Sequence, residues 1–190
     1  MQPKIGGAGR DRVQAMRIWL LVWVFAAELA HLIWEYLHGG IVSHHLLANP
    51  ELPAIWNGWG LVLLPALAWW ASGRFARRLE GRDDRRRAVT AGIIGFALAA
   101  TLGVLLSVAF LQGREDRAGT VLVSAFGLAL LLPACRECVF GFVLAMTFVF
   151  GAMLPLVIAD VVAGVSMLAH RLVYPFAYRM WRRSQGAAAG

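Results

Sequence analysis

Apolar runs of about 20 residues, the length at which a helix crosses the roughly 30 Å hydrocarbon core of a bilayer, recur along this chain and leave little of it for anything else. A lipid-facing segment has to satisfy its own backbone hydrogen bonds, and a helix does so without help from solvent. With 59% hydrophobic and 15% charged residues and a mean hydropathy of +0.65, the sequence is far from a soluble globular composition. It reads as an all-α, polytopic transmembrane helical bundle in a bacterial-type inner membrane, with the lipid bilayer as its first partner.

The charges give the bundle a direction. The net charge is +7, but the arginines stand at the ends of apolar runs instead of along an aromatic-rich polar face, so they are topology signals and no nucleic-acid partner is expected. Residues 1–17 form a basic leader with Lys4, Arg10, Arg12 and Arg17, and a first span covers 18–38. Ala26-Ala27 resembles a signal-peptide cleavage site, yet apolar residues continue through Tyr36 and Leu37, which favours an uncleaved signal anchor. A linker over 39–53, rich in Gly, Pro, Asn and His, breaks the helix before a second span at 54–75. Seven arginines between Arg74 and Arg87 make the 76–87 loop cytoplasmic, and the 39–53 linker then faces the periplasm.

Further spans are expected at 88–112 and 120–134. Over forty mostly apolar residues follow from Cys138, enough for two crossings, at 138–157 and 160–178, joined by a tight turn near Pro155 to Asp160. Six spans return the basic tail, including a flexible 182–190, to the cytoplasm with the N-terminus; five would leave it outside, so six are preferred. Residues 18–181 make one transmembrane domain. No internal repeat is evident, which leaves an inverted-repeat transporter unsupported. Gly95, Ala99 and Gly103 recur every four residues and allow a close helix neighbour, including a second copy of the chain.

The stretch ELAHLIWEYLH, residues 28–38, runs against this pattern. Relative to Glu28, a helix places His31 at about −60°, Glu35 at about −20° and His38 at about −80°, so all four share one face. Glu28 falls near mid-span and His38 about 15 Å above it, at the outer boundary. A charged side chain at mid-bilayer costs about 2.5–3.5 kcal/mol on insertion scales, so something has to compensate. A metal ion, mutual Glu–His hydrogen bonds or a water-filled cavity would each do so.

Glu-x-x-His occurs twice, at Glu28/His31 and Glu35/His38. Carboxylate and imidazole three residues apart on a helix can hold one ion, as four-helix di-metal proteins do. His44 and His45 could fold back over His38 at Gly39 and Gly40, and Asp160 could reach the same site. The expected metal ligands are therefore Glu28, His31, Glu35, His38, His44 and His45, for a divalent transition metal: zinc, iron or manganese, with copper also compatible. Glu28 and Glu35 double as proton carriers, and Asn57, entering span two at the level of His38, would orient a histidine or hold a substrate.

Other features are plainer. Cys135-Arg-Glu-Cys138 has a redox or metal spacing, but in an apolar region two buried cysteines at a chance spacing explain it more simply. Trp56, Trp59, Trp69 and Trp70 suit membrane interfaces, and His170 a helix-packing hydrogen bond. HGGIVSHH, residues 38–45, resembles the histidine boxes of membrane desaturases and hydroxylases, which gather many histidines around two irons; with five histidines in all, this chain departs from that pattern. Nucleophile elbows, phosphate loops and dinucleotide fingerprints do not occur. The expected function is metal binding on the outer half of span one with conduction of metal or protons. The alternatives are a membrane metalloenzyme acting on a lipid-soluble substrate, and a structural or assembly subunit of a membrane complex.

Overall fold

The apolar runs form helices, and glycine and proline separate them. In the computed structural model, which describes residues 7–45, 51, 53–80 and 85–188, helix α1 covers Gly7–Leu37. It ends at Gly39 and Gly40, whose φ angles of 132° and 105° favour glycine. There the N–H groups of His38 and Gly40 donate to the Glu35 carbonyl at 3.0 and 3.1 Å, closing the last turn. Strands β1 (Ser43–His45) and β2 (Ala54–Trp56) pair antiparallel, with Ser43 opposite Trp56 and His45 opposite Ala54. A 3-10 turn at Asn57–Trp59 leads into α2, Gly60–Glu80.

Helices α3 (Arg85–Leu111), α4 (Glu115–Leu131), α5 (Arg136–Phe150) and α6 (Met153–Leu168) follow. A π turn at Ala169–Val173 carries α6 into α7, Tyr174–Ala188. Apart from the short hairpin, the described chain is all-helical. Three stretches, Asp11–Leu37, Arg86–Leu111 and Met153–Arg182, are long and apolar enough to cross a membrane.

Several boundaries differ from the sequence expectation. The second helix starts at Gly60 instead of 54, because Ala54–Trp56 is taken up in strand pairing. The last apolar region folds back at Gly151 and Ala152, with Gly151 at φ 66°, and not near Pro155 to Asp160. Pro155 instead falls in the first turn of α6, where backbone N–H groups have no helical partner and its ring is tolerated. Asp160 is thereby carried into the body of α6, on an exposed face. The tail from 182 onward, expected to be flexible, continues as helix to Ala188, extended by the π turn and free of proline after Pro175.

Helix α5 sits at the centre. Its Val139, Phe140, Phe142, Val143 and Met146 are buried against Leu64 and Ala68 of α2, Leu106 of α3 and Ala159 of α6. The α3–α5 seam is the most extensive in the fold. A Cβ at Gly103 would meet Ala145 Cβ and the Phe142 carbonyl at 2.9 Å, and one at Gly95 would meet the Cys135 and Cys138 sulfurs at 2.9 and 3.0 Å. The small-residue stripe expected to admit a second copy of the chain thus makes its close approach within the chain, against α5. Outside, Trp19, Trp23, Ile93, Val123 and Phe148 are each more than half exposed, an apolar exterior that marks a membrane or partner surface.

The seam yields a stability contrast. Gly141→Ala places a methyl 2.6 Å from the Phe96 carbonyl oxygen, whereas Gly127→Ala meets nothing within 4 Å. Overpacking against rigid backbone costs about 1–3 kcal/mol, while an exposed helical Gly→Ala gains up to about 1 kcal/mol. Thermal unfolding in detergent should therefore show a lowered midpoint for Gly141→Ala and an unchanged or raised one for Gly127→Ala.

Candidate functional site

The polar stripe of α1 turns inward. Glu28 and Glu35 are 4% and 7% exposed, while Leu29, Ile33 and Tyr36, which flank them in sequence, are 40%, 51% and 70% exposed. The alternation follows from helical periodicity: positions 28, 31, 32 and 35 face α2 and α5, and the residues between them face out.

Between the two carboxylates lies one imidazole. His31 Nδ1 is 3.5 Å from Glu28 Oε2, and His31 Nε2 is 3.5 Å from Glu35 Oε1. The imidazole ring lies 4.9 Å, centroid to centroid, from the Phe148 ring of α5. The opposite edges of the ring therefore address different carboxylates.

Glu35 is held firmly. Its Oε1 accepts the Asn57 amide N–H at 2.7 Å and its Oε2 the Val42 backbone N–H at 3.2 Å. Asn57 is itself fixed by its backbone N–H donating to the Val42 carbonyl at 3.1 Å. Its side-chain oxygen abuts Gly151 at the α5–α6 turn so closely that any Cβ there would collide with it. The hairpin, the start of α2 and the α5–α6 turn thus converge on one carboxylate.

Glu28 is held differently. Its Oε1 is buried and has no hydrogen-bond partner among the described residues. The carboxylate lies against Gly60, the first residue of α2, where a Cβ would run into it. The N-terminal end of a helix carries partial positive charge, which favours a carboxylate there. His31 Nε2 is likewise buried without a hydrogen bond among the described residues, so the Glu28–His31–Glu35 row is assembled but loosely closed. Shortening each gap by about 0.7 Å would reach the ~2.8 Å of a charge-assisted hydrogen bond.

Not every expected residue joins the site. His38 points away: its Nδ1 lies 2.7 Å from the Trp34 carbonyl oxygen, its ring stacks on Trp34 at 4.5 Å, and it is exposed. It directly follows the last residue of α1, where end-of-helix carbonyls lack the usual helical partner and the Trp34 oxygen is within reach. The backbone of His44 and His45 lies in β1, and their side chains are outside the described part of the structure. Asp160 is exposed on α6. His170 Nδ1 lies 2.9 Å from the Ser166 carbonyl oxygen and its ring meets Tyr174 edge-on, the expected packing role. Among the described residues, no group of three or more His, Cys, Asp or Glu side chains is arranged to hold a metal ion.

Sequence reasoning singled out Glu28, His31, Glu35 and Asn57, the last as a partner for a histidine, whereas its amide donates to the Glu35 carboxylate; it did not single out the two glycines that let other elements reach them. Gly60 follows Trp59 and Gly151 breaks the last apolar region. The turn was expected near Pro155 to Asp160 and not at Gly151, and Gly60 offered no signal beyond its residue type. Comparison with family models, curated proteins and solved structures gives no match, so the site stands on its own geometry.

Asn57→Leu deletes the donor to Glu35 Oε1 and leaves a buried acceptor short of a partner, a change of about 1–3 kcal/mol. The detergent-solubilised variant should unfold several degrees below the parent, whereas Trp59→Leu, at an exposed position beside it, should leave the midpoint within about a degree.

Proposed function

We propose that this chain is a six-span inner-membrane protein, with both termini in the cytoplasm, in which Glu35, His31 and Glu28 carry protons from the outer surface to the middle of the bilayer. The observation that carries this reading is the single imidazole flanked by two buried carboxylates through its two different nitrogens. A neutral imidazole accepts a proton on one nitrogen and releases one from the other, so it can pass a proton from Glu35 to Glu28 without leaving its place. The firm hold on Glu35 by Asn57 and Val42 suits a fixed entry point, and the sparse hydrogen bonding of Glu28 suits a group that gains and loses a proton.

The antiparallel pairing of the first two spans is supported by contacts at two levels. Arg17 donates to Ser72 Oγ and the Trp69 carbonyl, each at 3.2 Å, while Glu35 meets Asn57. Neighbouring segments α1 and α2 thus run antiparallel, and about 27 Å of helix separates the two levels, close to a hydrocarbon thickness. Arg74 and Arg77 of α2 follow Ser72 beyond the Arg17 end, on the side where the charge rule puts the cytoplasm.

The relay ends at Glu28. Towards Arg17 the seam is closed by Val24, Leu64, Ala68 and Ala71, all buried and apolar. That makes it an access path to mid-membrane, a half-channel, and not an open pore. The divergence of the ring nitrogens also favours protons over a chelated metal. An ion at Nδ1 would reach Glu28 and an ion at Nε2 would reach Glu35, so each position offers two ligands among the described side chains, short of the four that zinc commonly takes.

A hydrophobic carbodiimide, which reacts with protonated carboxyl groups in apolar surroundings, tests the reading in sealed vesicles of known orientation. Mass spectrometry should find Glu28 labelled, with a rate that rises as the external pH is lowered at fixed internal pH. His31→Phe should reduce that dependence at least tenfold, and Glu28→Gln should remove the label. Labelling that follows the internal pH, or that ignores His31, contradicts the half-channel. Protection of Glu28 by micromolar zinc or manganese, reversed by chelator, would instead establish the metal-binding alternative.

A further inference from the structure

The second chemical feature lies away from the relay. Cys135 and Cys138 are joined by a disulfide. The pair forms part of the wall of a cavity of about 120 Å³ between α3, α4, α5 and α6. The rest of the lining is apolar, with Leu102, Leu128, Ala129, Phe142 and Ala163 among its residues, except for Ser166. That hydroxyl is already engaged, donating to the Leu132 carbonyl at 2.9 Å and accepting from the Ala134 N–H at 2.8 Å. On the cavity lining, Leu98 and Leu132 are 47% and 50% exposed, so a ligand can enter from the apolar exterior.

The disulfide is a poor structural staple. It links residues three apart, and so short a loop restricts the unfolded chain least. Its placement suits chemistry better. Cys135 caps α5, and its sulfur accepts the Cys138 N–H at 3.2 Å, so a sulfur anion released there keeps a backbone donor. Gly95 of α3 packs directly on both sulfurs, where a Cβ would come within 2.9 and 3.0 Å of them, and all three residues line the cavity.

We propose that Cys135 and Cys138 form a two-electron dithiol/disulfide couple that exchanges with a lipid-soluble quinone whose ring enters this cavity. The volume is on the order of the ~150 Å³ apolar cavity known to take up benzene, which admits a ring and excludes a protein chain. The disulfide in the wall selects, among apolar rings, one that exchanges two electrons and two protons. When the dithiol reduces the quinone, two S–H bonds break, one S–S bond forms, and both electrons and both protons pass to the quinone, whose carbonyl oxygens become the hydroxyls of a hydroquinone. In the reverse direction hydroquinone reduces the disulfide. The proposal is independent of the proton relay.

Full-length protein in detergent, reduced with dithiothreitol and desalted, is mixed with a short-tailed benzoquinone while quinone absorbance and free thiols are followed. The expected result is one quinone consumed and two thiols lost per chain, with the disulfide recovered in the mass spectrum. Ala129→Phe, which fills the cavity, should slow this at least tenfold and leave oxidation by ferricyanide unchanged. If that variant does not fold, a redox-inert alkylbenzene added to the parent protein should slow quinone reduction in the same way. The proposal is overturned if the folded protein resists reduction, if quinone forms only a thioether adduct, or if neither the filled cavity nor the competitor changes the rate.

Discussion

Burying a carboxylate away from water is costly unless other groups take over the work of hydration, and the way this chain meets that demand organises the fold around α1. Glu28, His31 and Glu35 fall on one helical face, so a single inward rotation of α1 buries all three. The same rotation turns Leu29, Ile33 and Tyr36 outward. Elements distant in sequence then supply partners: Val42 before the hairpin, Asn57 before α2, and the helix start at Gly60.

Glycine makes these approaches feasible. Gly60 admits the Glu28 carboxylate, Gly151 admits the Asn57 side chain, and Gly103 lets α3 lie on the α5 backbone. At each place a methyl group would occupy space already taken by a polar atom or by backbone. The two chemical centres consequently lie at different levels of the bundle. The carboxylate–imidazole row is near the hairpin and the α5–α6 turn, and the disulfide is near the other end of α5, where the Arg136 guanidinium lies 4.7 Å from the centre of the Trp70 ring. The buried apolar residues of α2 and α5 separate them.

Much of this was legible in the sequence, for identifiable reasons. A 100° periodicity is enough to predict that residues 28, 31 and 35 share a face, and the insertion cost of a charge is enough to predict that the face points inward. Asn57 was legible because its level follows from where the two apolar runs begin and end. His38 was misassigned to the cluster because angle alone ignores helix ends, where a side chain finds free carbonyls close by. The hairpin turn at Gly151 was missed in favour of Pro155, since proline is tolerated in the first turn of a helix as well as in a break. The disulfide was hidden because a Cys-x-x-Cys spacing does not reveal whether a helix start holds both sulfurs together.

The central claim is that the polar stripe of α1 faces protein and not lipid. Single nitroxide labels placed along residues 22–36 in lipid vesicles, read out by their collisions with dissolved oxygen, test it directly. The account predicts a 3.6-residue oscillation with maxima at Trp23, Ala26, Ala30 and Ile33 and minima at Val24, Glu28, Leu32 and Glu35. An oscillation of opposite phase, with high oxygen exposure at positions 28 and 35, would contradict it.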